Sequence, residues 1–300
     1  MIECDVIVIG GGPAGMAAAL GATESGASVA LIERAPSLGG ILTQCTHSGF
    51  GMTYFNKELT GQEYARIFTE CVKSSPVEVF DDTTVLDISA DRVITLSGAK
   101  AGFTRVWASA VILASGCRER TIGSLMVEGS RPAGVFTAGA AQKMLNIGGY
   151  TLGDRFVILG SGDVGLIVAR ELHTRDKEVI AVIEKEDRCG GLPRNRVNCL
   201  EKPGIPLITS STVTRLHGFP RLTGVTVSGE SGQYNIECDT LITSLGLIPE
   251  RELADGFAAV PDWLFITGNA RKIHDIVDGV TRESERVGRA AAQYARRCQN

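Results

Sequence analysis

Two glycine-rich loops carry the clearest prediction of chemistry in this chain of 300 residues. In the first loop, Gly10 makes a tight turn, Gly12 lets the backbone approach a pyrophosphate, and Gly15 lets a helix pack closely on a strand. The phosphates would then accept hydrogen bonds from free N–H groups at the positive end of that helix. Pro13 and Ala14 lie between these glycines. The loop therefore predicts a binding site for the pyrophosphate of a dinucleotide.

The elements that must position this loop follow in the required order. Residues 6–9 are apolar and β-branched, which predicts a strand buried on both faces of a parallel sheet. A helix opens after the loop, and residues 29–32 predict the second strand. Glu33 ends that strand, 23 residues after Gly10, where its carboxylate can accept hydrogen bonds from a ribose, and Arg34 follows it. A tight turn without a ligand is the alternative, and the complete order of elements disfavours it.

The same arrangement occurs a second time. A predicted strand at 156–159 precedes the second loop, and another at 179–183 ends at Glu184, 24 residues after the first glycine of that loop. Two complete fingerprints predict two dinucleotide sites. A relic domain that has kept its fold after losing its ligand is the alternative. The second loop comprises Gly160, Ser161, Gly162, Asp163, Val164 and Gly165.

Glu184 also bears on the choice of nicotinamide dinucleotide. An acid at this position accepts hydrogen bonds from a free ribose 2′-hydroxyl and repels a 2′-phosphate, so it favours NAD(H) over NADP(H). Lys185 and Arg188 lie nearby and weaken this preference. For these two bases, an ordinary solvated face is the alternative interpretation.

The overall charge excludes several classes of partner. Thirty basic and 34 acidic residues give a net charge of −4, so no nucleic acid or anionic membrane surface is expected as a partner. No apolar run approaches the length of a transmembrane segment. The acidic first residues lead directly into a strand, which is not the pattern of a signal peptide.

The cysteines predict reduced thiols. The sequence holds eight, and no two of them are spaced as C-x-x-C. Zinc and iron–sulfur sites need clustered thiolates, so we expect no metal site in this chain. Scattered cysteines in a chain of this size are typical of a cytoplasmic protein.

Four further tracts accompany the two loops. They are the pair Gly39 and Gly40, residues 111–116 (with Ala114, Ser115 and Gly116), residues 244–249 (with Gly246), and residues 265–269 (with Gly268 and Asn269). In kind and order these tracts resemble those of the pyridine-nucleotide-dependent flavoproteins with a thioredoxin-reductase-like fold, and they span nearly the whole chain.

The resemblance implies an α/β fold with two Rossmann-like dinucleotide-binding domains, in which the NAD domain is inserted into the FAD domain. Residues 1–117 and 245–300 would form the FAD domain, and residues 118–244 the NAD domain. FAD would bind at the first glycine loop and at the tracts around residues 39, 114 and 268. NAD(H) would bind at the second loop, with Gly246.

Asn269 stands where the group usually has an aspartate. Its amide oxygen can still accept a hydrogen bond from a ribityl hydroxyl, so FAD binding should survive. The loss of one negative charge should raise the flavin potential. The tract 273–279 leads into a final helix whose N-terminal end faces the flavin pyrimidine ring by resemblance, and there the helix dipole would stabilise the anionic reduced flavin.

The chain departs from the thiol reductases of this group. Thioredoxin reductases carry a C-A-T-C dithiol where residues 136–142 hold no cysteine. The glutathione-reductase branch carries a cysteine pair after its glycine pair, and here that tract holds only Cys45. One sulfur cannot form the internal disulfide that relays electrons in those enzymes. A dithiol reductase is therefore not expected.

A narrower resemblance predicts the function. Residues 116–120 and 134–142 are similar to FAD/NAD-binding subunits of opine oxidases, cyanide-forming glycine dehydrogenases and sarcosine oxidases, and to proteins associated with anaerobic glycerol-3-phosphate dehydrogenase. Residues 44–51 and 58–61 look most like the last of these. The implied partner is a second flavoprotein, often with a small iron–sulfur protein.

Three functional classes remain open from the sequence. The first is a diaphorase-like subunit of a multi-subunit dehydrogenase of glycerol-phosphate or amino-acid type, which exchanges hydride between NAD(H) and flavin. The second is a self-contained NADH oxidase in which Cys45 cycles through a sulfenate. The third is a structural subunit whose FAD holds an assembly together without turnover.

Three side chains are candidates for direct contact with the flavin. Cys45 and His47 would act as a thiol and a base, and the alternative is a buried small residue and a hydrogen-bonded histidine. His274 lies by resemblance next to the flavin end of the last helix, and a capping or packing role is its alternative.

Overall fold

The chain divides into two compact units. The computed structural model describes residues 2–99, 102–230 and 232–299. Unit 1 comprises Met1–Arg118 and Ile248–Asn300, and unit 2 comprises Glu119–Leu247. The boundaries expected from the sequence, after residues 117 and 244, lie one and three residues from these.

Helices and strands follow one another along both units. The helices are α1 (Pro13–Glu24), α2 (Gly61–Lys73), α3 (Ala138–Asn146), α4 (Asp163–Thr174), α5 (Pro193–Arg196), α6 (Glu252–Asp255) and α7 (Val277–Gln299). The strands are β1 (Ile2–Ile9), β2 (Val29–Ile32), β3 (Ser48–Phe50), β4 (Leu59–Thr60), β5 (Glu78–Phe80), β6 (Thr83–Ile88), β7 (Val93–Gly98), β8 (Gly102–Leu113), β9 (Cys117–Glu119), β10 (Glu128–Gly129), β11 (Val135–Thr137), β12 (Arg155–Leu159), β13 (Glu178–Ile183), β14 (Leu207–Ile208), β15 (Ser211–His217), β16 (Gly224–Gly229), β17 (Gly232–Ile236), β18 (Thr240–Thr243), β19 (Leu247–Pro249) and β20 (Leu264–Ile266).

A parallel sheet forms the centre of unit 1. Its strands lie in the order β5-β2-β1-β8-β20, and the first half of β8 also pairs antiparallel with β7, which pairs with β6. Val8 and Leu31 pack on the helical face, whereas Ile7 and Ile32 pack on the face covered by β6 and β7. Burial on both faces explains why these strands are uninterrupted apolar runs.

Unit 2 repeats this plan. The parallel order β14-β13-β12-β18-β11 matches that of unit 1. Ile158 packs with the helices, and Val157 and Leu159 pack on the sheet of β10, β15, β16 and β17. The first strand of each fingerprint, β1 or β12, is therefore central, and its carboxyl end delivers the glycine loop to the edge where ligands bind in such sheets.

Helix α2 shows how local sequence fixes the start of an element. The Thr60 hydroxyl accepts a hydrogen bond from the Glu63 N–H at 3.2 Å, and the Glu63 carboxylate accepts one from the Thr60 N–H at 2.8 Å. These two bonds close a capping box. Tyr64, Phe68 and Val72 recur every four residues and bury one face of the helix.

Glycines let helices α1 and α7 approach each other closely. A Cβ on Gly288 would lie 2.0 Å from the Ala18 carbonyl oxygen, and one on Gly21 would lie 2.5 Å from the Glu285 carbonyl oxygen. Both neighbouring atoms belong to backbone that is packed in the core of unit 1. Neither position can accept a larger residue without separating the helices.

We expect Gly288→Ala to lower the free energy of unfolding by about 2 kcal/mol, because the added methyl group overpacks the contact between the helices. Chemical denaturation measures this change. Gly279→Ala is the matched control on the same helix, because nothing lies within 4 Å of its Cβ and the position is exposed. That variant should gain up to about 1 kcal/mol from helix propensity. Equal stabilities of the two variants would contradict the proposed packing.

Candidate dinucleotide sites

The glycines of the first loop have different structural roles. Gly10 has φ +106°, and a Cβ there would lie 2.4 Å from the Ala114 carbonyl oxygen. A Cβ on Gly15 would lie 1.7 Å from the Gly10 carbonyl oxygen. The fold itself therefore requires both glycines. Gly12 differs, because the nearest atom to its Cβ would be Gly40 Cα at 3.9 Å, which leaves open space at the loop.

Glu33 is built into this loop. Its Oε2 accepts a hydrogen bond from the Gly11 N–H at 2.6 Å, and its Oε1 accepts one from the Ala35 N–H at 2.7 Å. The side chain is buried at the end of β2. Each carboxylate oxygen can accept a further hydrogen bond, which is what recognition of ribose hydroxyls requires.

Two distant tracts close around the start of α1. The Gly39 N–H donates to the Gly11 carbonyl at 2.9 Å, and Gly40 lies against Gly12. A Cβ on Gly268, which has φ +61°, would lie 2.7 Å from the Ala14 Cβ. In the described chain, no side chain caps the N-terminus of α1, where Pro13 is the first helical residue. Its amides are thus available to an anion.

The tract after β8 joins the same region. The Ser115 hydroxyl donates to the Glu250 carbonyl at 2.5 Å, and Arg34 pairs with the Glu250 carboxylate at 3.6 Å. Gly116 adopts φ +78°. These contacts join the tracts within unit 1, which holds every residue expected to bind FAD: Gly10, Gly12, Pro13, Ala14, Gly15, Glu33, Arg34, Gly39, Gly40, Ala114, Ser115, Gly116, Gly268 and Asn269.

Asn269 and His274 form a small polar network. The Asn269 Oδ1 accepts a hydrogen bond from the His274 N–H at 3.0 Å, and its Nδ2 donates to the Cys117 sulfur at 3.6 Å. The amide oxygen keeps one lone pair for a ribityl hydroxyl. His274 Nε2 lies 3.2 Å from the Glu283 carboxylate, and its buried Nδ1 has no hydrogen-bond partner among the residues that the structure describes. The pairing with Glu283 was not foreseen from the sequence.

Cys45 and His47 lie in the segment that leads into β3. Cys45 is buried, and its thiol donates to the Ile41 carbonyl at 3.4 Å. His47 is half-buried, with its Nδ1 3.1 Å from the Ser48 carbonyl and its ring centre 5.0 Å from that of Phe50. Their roles at the flavin stay predictions.

Asp278, which sequence reasoning missed, holds the segment that follows β3. Its buried carboxylate accepts hydrogen bonds from the N–H groups of Gly51, Thr53 and Tyr54 at 2.7–3.0 Å and from the Thr53 hydroxyl at 2.9 Å. Burial acts to raise the pKa of Asp278, but these donors outweigh it and hold the pKa below its ordinary value. The only signal in the sequence was an acid in the first turn of a helix.

The second loop, which lies in unit 2, repeats the hydrogen-bond pattern of the first. Gly160 has φ +96°, and a Cβ there would lie 2.2 Å from the Ser244 carbonyl oxygen. The Glu184 Oε2 accepts hydrogen bonds from the Ser161 N–H at 2.8 Å and the Ser161 hydroxyl at 2.5 Å. Its Oε1 accepts one from the Glu186 N–H at 3.0 Å. Burial opposes ionisation of Glu184, but these donors lower its pKa, so the carboxylate is charged at neutral pH.

The remaining predicted residues of unit 2 surround this loop. Gly162 precedes α4, whose N-terminus has no side-chain cap in the described chain. A Cβ on Gly165 would lie 2.7 Å from the Ser244 Cβ. Val164 packs on the helical core of the unit. Gly246 has φ +95°, and its carbonyl accepts a hydrogen bond from the Arg120 N–H at 2.9 Å.

Glu119 caps the N-terminus of helix α3, although it lies 20 residues before Gly139 in the chain. Its carboxylate accepts hydrogen bonds from the N–H groups of Gly139 at 2.7 Å and Ala140 at 3.3 Å. The resemblance places the dithiol of thioredoxin reductases at this helix start. Here a carboxylate neutralises the positive end of the helix instead, which would raise the pKa of any thiol placed there and so disfavour thiolate chemistry.

Neither metal clusters nor membrane spans appear among the residues that the structure describes. No group of three or more His, Cys, Asp or Glu side chains there could hold a metal ion. Across the same residues, no helix combines the length and the apolarity needed to cross a membrane.

A protein-family model described as pyridine nucleotide-disulphide oxidoreductase matches residues 4–262. The chain belongs to this family. Pyridine nucleotide-disulphide oxidoreductases bind FAD and NAD(P)H, and the two loops, the two buried acids bonded to them and the two uncapped helix starts fit these cofactors. The α/β fold with two dinucleotide-binding units, expected from the sequence, is confirmed.

Curated relatives resemble the chain in sequence, and a solved structure resembles it in fold. The alpha subunit of sarcosine oxidase from Rhizobium meliloti is 27% identical over 97% of this chain and 28% of its own length. An opine oxidase subunit from Agrobacterium tumefaciens is 37% identical over 56% of this chain and 34% of its own. The chain thus spans about a third or less of these relatives. Thioredoxin reductase of T. acidophilum superposes with a TM-score of 0.79 and 20% identity over 100% of this chain and 99% of its own, which supports the fold.

We expect Gly12→Val to yield a folded protein that has lost its flavin. A Cβ at this position would lie 3.9 Å from its nearest protein atom, Gly40 Cα, yet the added side chain would occupy the space through which the backbone approaches a pyrophosphate. The ratio of flavin absorbance to protein after purification measures the loss.

Gly162→Val in the second loop is the matched control for this experiment. It should keep its flavin and lose reduction by a nicotinamide dinucleotide. Stoichiometric FAD in the Gly12→Val protein would show that the site is misplaced.

Proposed function

We propose that this chain is an FAD-containing, NADH-linked subunit that exchanges hydride between NAD(H) and flavin and passes electrons to or from a partner subunit. The observation that carries the proposal is a pair of glycine loops, each hydrogen-bonded to a buried glutamate, which we call the two cradles, together with residues 136–142, which hold no cysteine. Glu119 caps the helix start where the resembling thioredoxin reductases hold their sulfurs. The flavin would therefore exchange electrons with an external protein instead of an internal disulfide.

The two cradles have separate tasks in this proposal. Once bound, nicotinamide and flavin supply the hydride transfer themselves. The unit 1 cradle would orient FAD through its glycine loop and Glu33, and the unit 2 cradle would hold NAD(H) through the second loop and Glu184. Asn269 would accept a ribityl hydroxyl, and the uncapped start of each first helix would face a pyrophosphate.

The relatives support a partner subunit. Both the sarcosine oxidase and the opine oxidase relative are named as subunits, which indicates that related chains work within larger enzymes. We propose a second flavoprotein dehydrogenase as the partner, together with a small iron–sulfur protein. The substrate oxidised by that complex would be of glycerol-phosphate or amino-acid type.

We expect NADH to reduce the flavin faster than NADPH does. The ionised and buried Glu184 carboxylate would repel a 2′-phosphate and accept hydrogen bonds from a free 2′-hydroxyl. Rapid-mixing measurements of flavin bleaching with each dinucleotide give the ratio. Glu184→Gln should narrow the preference, because it removes the charge and keeps the shape. Faster reduction of the wild-type protein by NADPH would contradict the assignment.

The purified chain should reduce artificial dyes with NADH but show little oxidation of glycerol 3-phosphate or amino acids on its own. Dye reduction and substrate oxidation, each measured with and without copurifying proteins, test this expectation. Robust substrate oxidation by the isolated chain would refute the proposal of a partner-dependent enzyme. Rapid peroxide or water formation from NADH would instead support a self-contained oxidase, and a flavin that no nicotinamide reduces would support a purely structural role.

A further inference from the structure

Unit 2 contains a counterpart of the glycine pair that lies on the first loop. Gly39 follows Glu33 by six positions, and Gly190 follows Glu184 by the same six positions. In unit 1 the pair contacts the glycine loop directly, through the hydrogen bond from the Gly39 N–H to the Gly11 carbonyl. The internal repeat therefore extends beyond the two fingerprints.

The second pair lies on the second loop in the same way. The Gly190 N–H donates to the Ser161 hydroxyl at 2.7 Å, and that hydroxyl also donates to Glu184. A Cβ on Gly191 would lie 3.1 Å from the Ser161 carbonyl oxygen and 2.7 Å from the Leu166 side chain. We call residues 189–195 the strap, because they cross the loop and are bonded to it at several points.

Asp163 accepts two further hydrogen bonds from the strap. Its Oδ1 accepts hydrogen bonds from the Leu192 N–H at 2.8 Å and from the Asn195 side-chain amide at 2.7 Å. The carboxylate belongs to the first turn of α4, which is where the fingerprint places a pyrophosphate. A mobile carboxylate there would repel the phosphates, so the two donors hold its charge on the strap.

The start of α4 stays open to an anion in this arrangement. In the described chain no side chain caps it, although Asp163 is the first residue of the helix. Acids in the first turn commonly stabilise a helix by interacting with its dipole. Here the strap binds the carboxylate of Asp163, the acid of that turn, so the helix N–H groups are left for a ligand.

We propose that the strap preorganises the nucleotide site of unit 2, and that Asp163 and Asn195 are positioning residues for NAD(H) that act through it. The inference rests on the proposed binding of NAD(H) at the second loop. Asp163 and Asn195 need not touch the dinucleotide. They fix the glycine pair beside Glu184 and keep the carboxylate away from the pyrophosphate, so less ordering remains to be done on binding.

The first test compares two asparagines of neighbouring turns. Asn195→Ala removes one hydrogen bond to Asp163. Asn198→Ala removes a side-chain amide whose one hydrogen bond among the described residues is accepted from Lys202 Nζ, at 2.7 Å. Calorimetric titration of the FAD-loaded protein with NAD⁺ measures the Kd. We expect about a fivefold to tenfold weaker Kd for Asn195→Ala, the size of one ordinary hydrogen bond, because the lost bond acts on the dinucleotide only through the strap. Asn198→Ala should bind like the wild type.

The direction in which Kd changes when Asp163 is replaced separates the strap proposal from a simple effect of charge. Asp163→Ala deletes a negative charge near the pyrophosphate site, so it should tighten NAD⁺ binding if the strap has no role. Our proposal predicts the opposite, a weaker Kd, because the strap is released. Asp163→Asn should restore binding to within about twofold of the wild type, since an amide oxygen can accept the same two hydrogen bonds.

The rate of trypsin cleavage measures how well the strap is ordered, and it does not depend on enzyme activity. Arg194 is exposed within it, so Asn195→Ala and Asp163→Ala should be cut there faster than the wild type, and NAD⁺ should protect the wild type. Unchanged Kd and cleavage in both variants, or tighter binding by Asp163→Ala, would overturn the strap proposal alone. Failure of the wild type to bind NAD⁺ would overturn both this inference and the proposed function.

Discussion

The structure depends on one repeated interaction, the hydrogen bond from a glycine-loop amide to the carboxylate that ends the second strand. In unit 1 the Gly11 N–H donates to Glu33, and in unit 2 the Ser161 N–H donates to Glu184. Each bond joins the end of the central strand to the end of its neighbour. Because both carboxylates are buried, a lost donor would leave a buried oxygen short of a hydrogen bond, which costs more free energy than the bond itself contributes.

This interaction is possible only because the parallel strands end together. Val8 pairs with Leu31 on one side and Ile112 on the other, so three strand ends meet at the first loop. In unit 2, Ile158 pairs with Val182 and Ile242 in the same manner. The two faces of each sheet pack against different elements, so a slip of one residue would place every side chain in a core of the wrong shape. The core thus sets the geometry of the polar site.

The sequence predicted features that are local and missed those that join distant segments. The glycine loops, Glu33 and Glu184 follow rules of spacing within one βαβ unit, so their positions could be read directly. Asp278 binds residues more than 220 positions away, and Glu119 caps a helix 20 positions further on. No periodic pattern in the sequence predicts such contacts, because only tertiary packing brings the partners together. The repeated glycine pair at residues 190–191 was a readable signal that gained meaning only from its contact with Ser161.

The proposed function requires that the chain bind one flavin, accept hydride from NADH and contain no second two-electron centre. Anaerobic titration of the FAD-loaded protein with NADH, followed by the visible flavin absorbance, tests it most directly. The account predicts complete bleaching with one NADH per FAD, because a hydride carries two electrons and a lone flavin accepts two. A requirement for a second equivalent would reveal a further two-electron centre such as a dithiol. That result, or an absence of bleaching, would contradict the account.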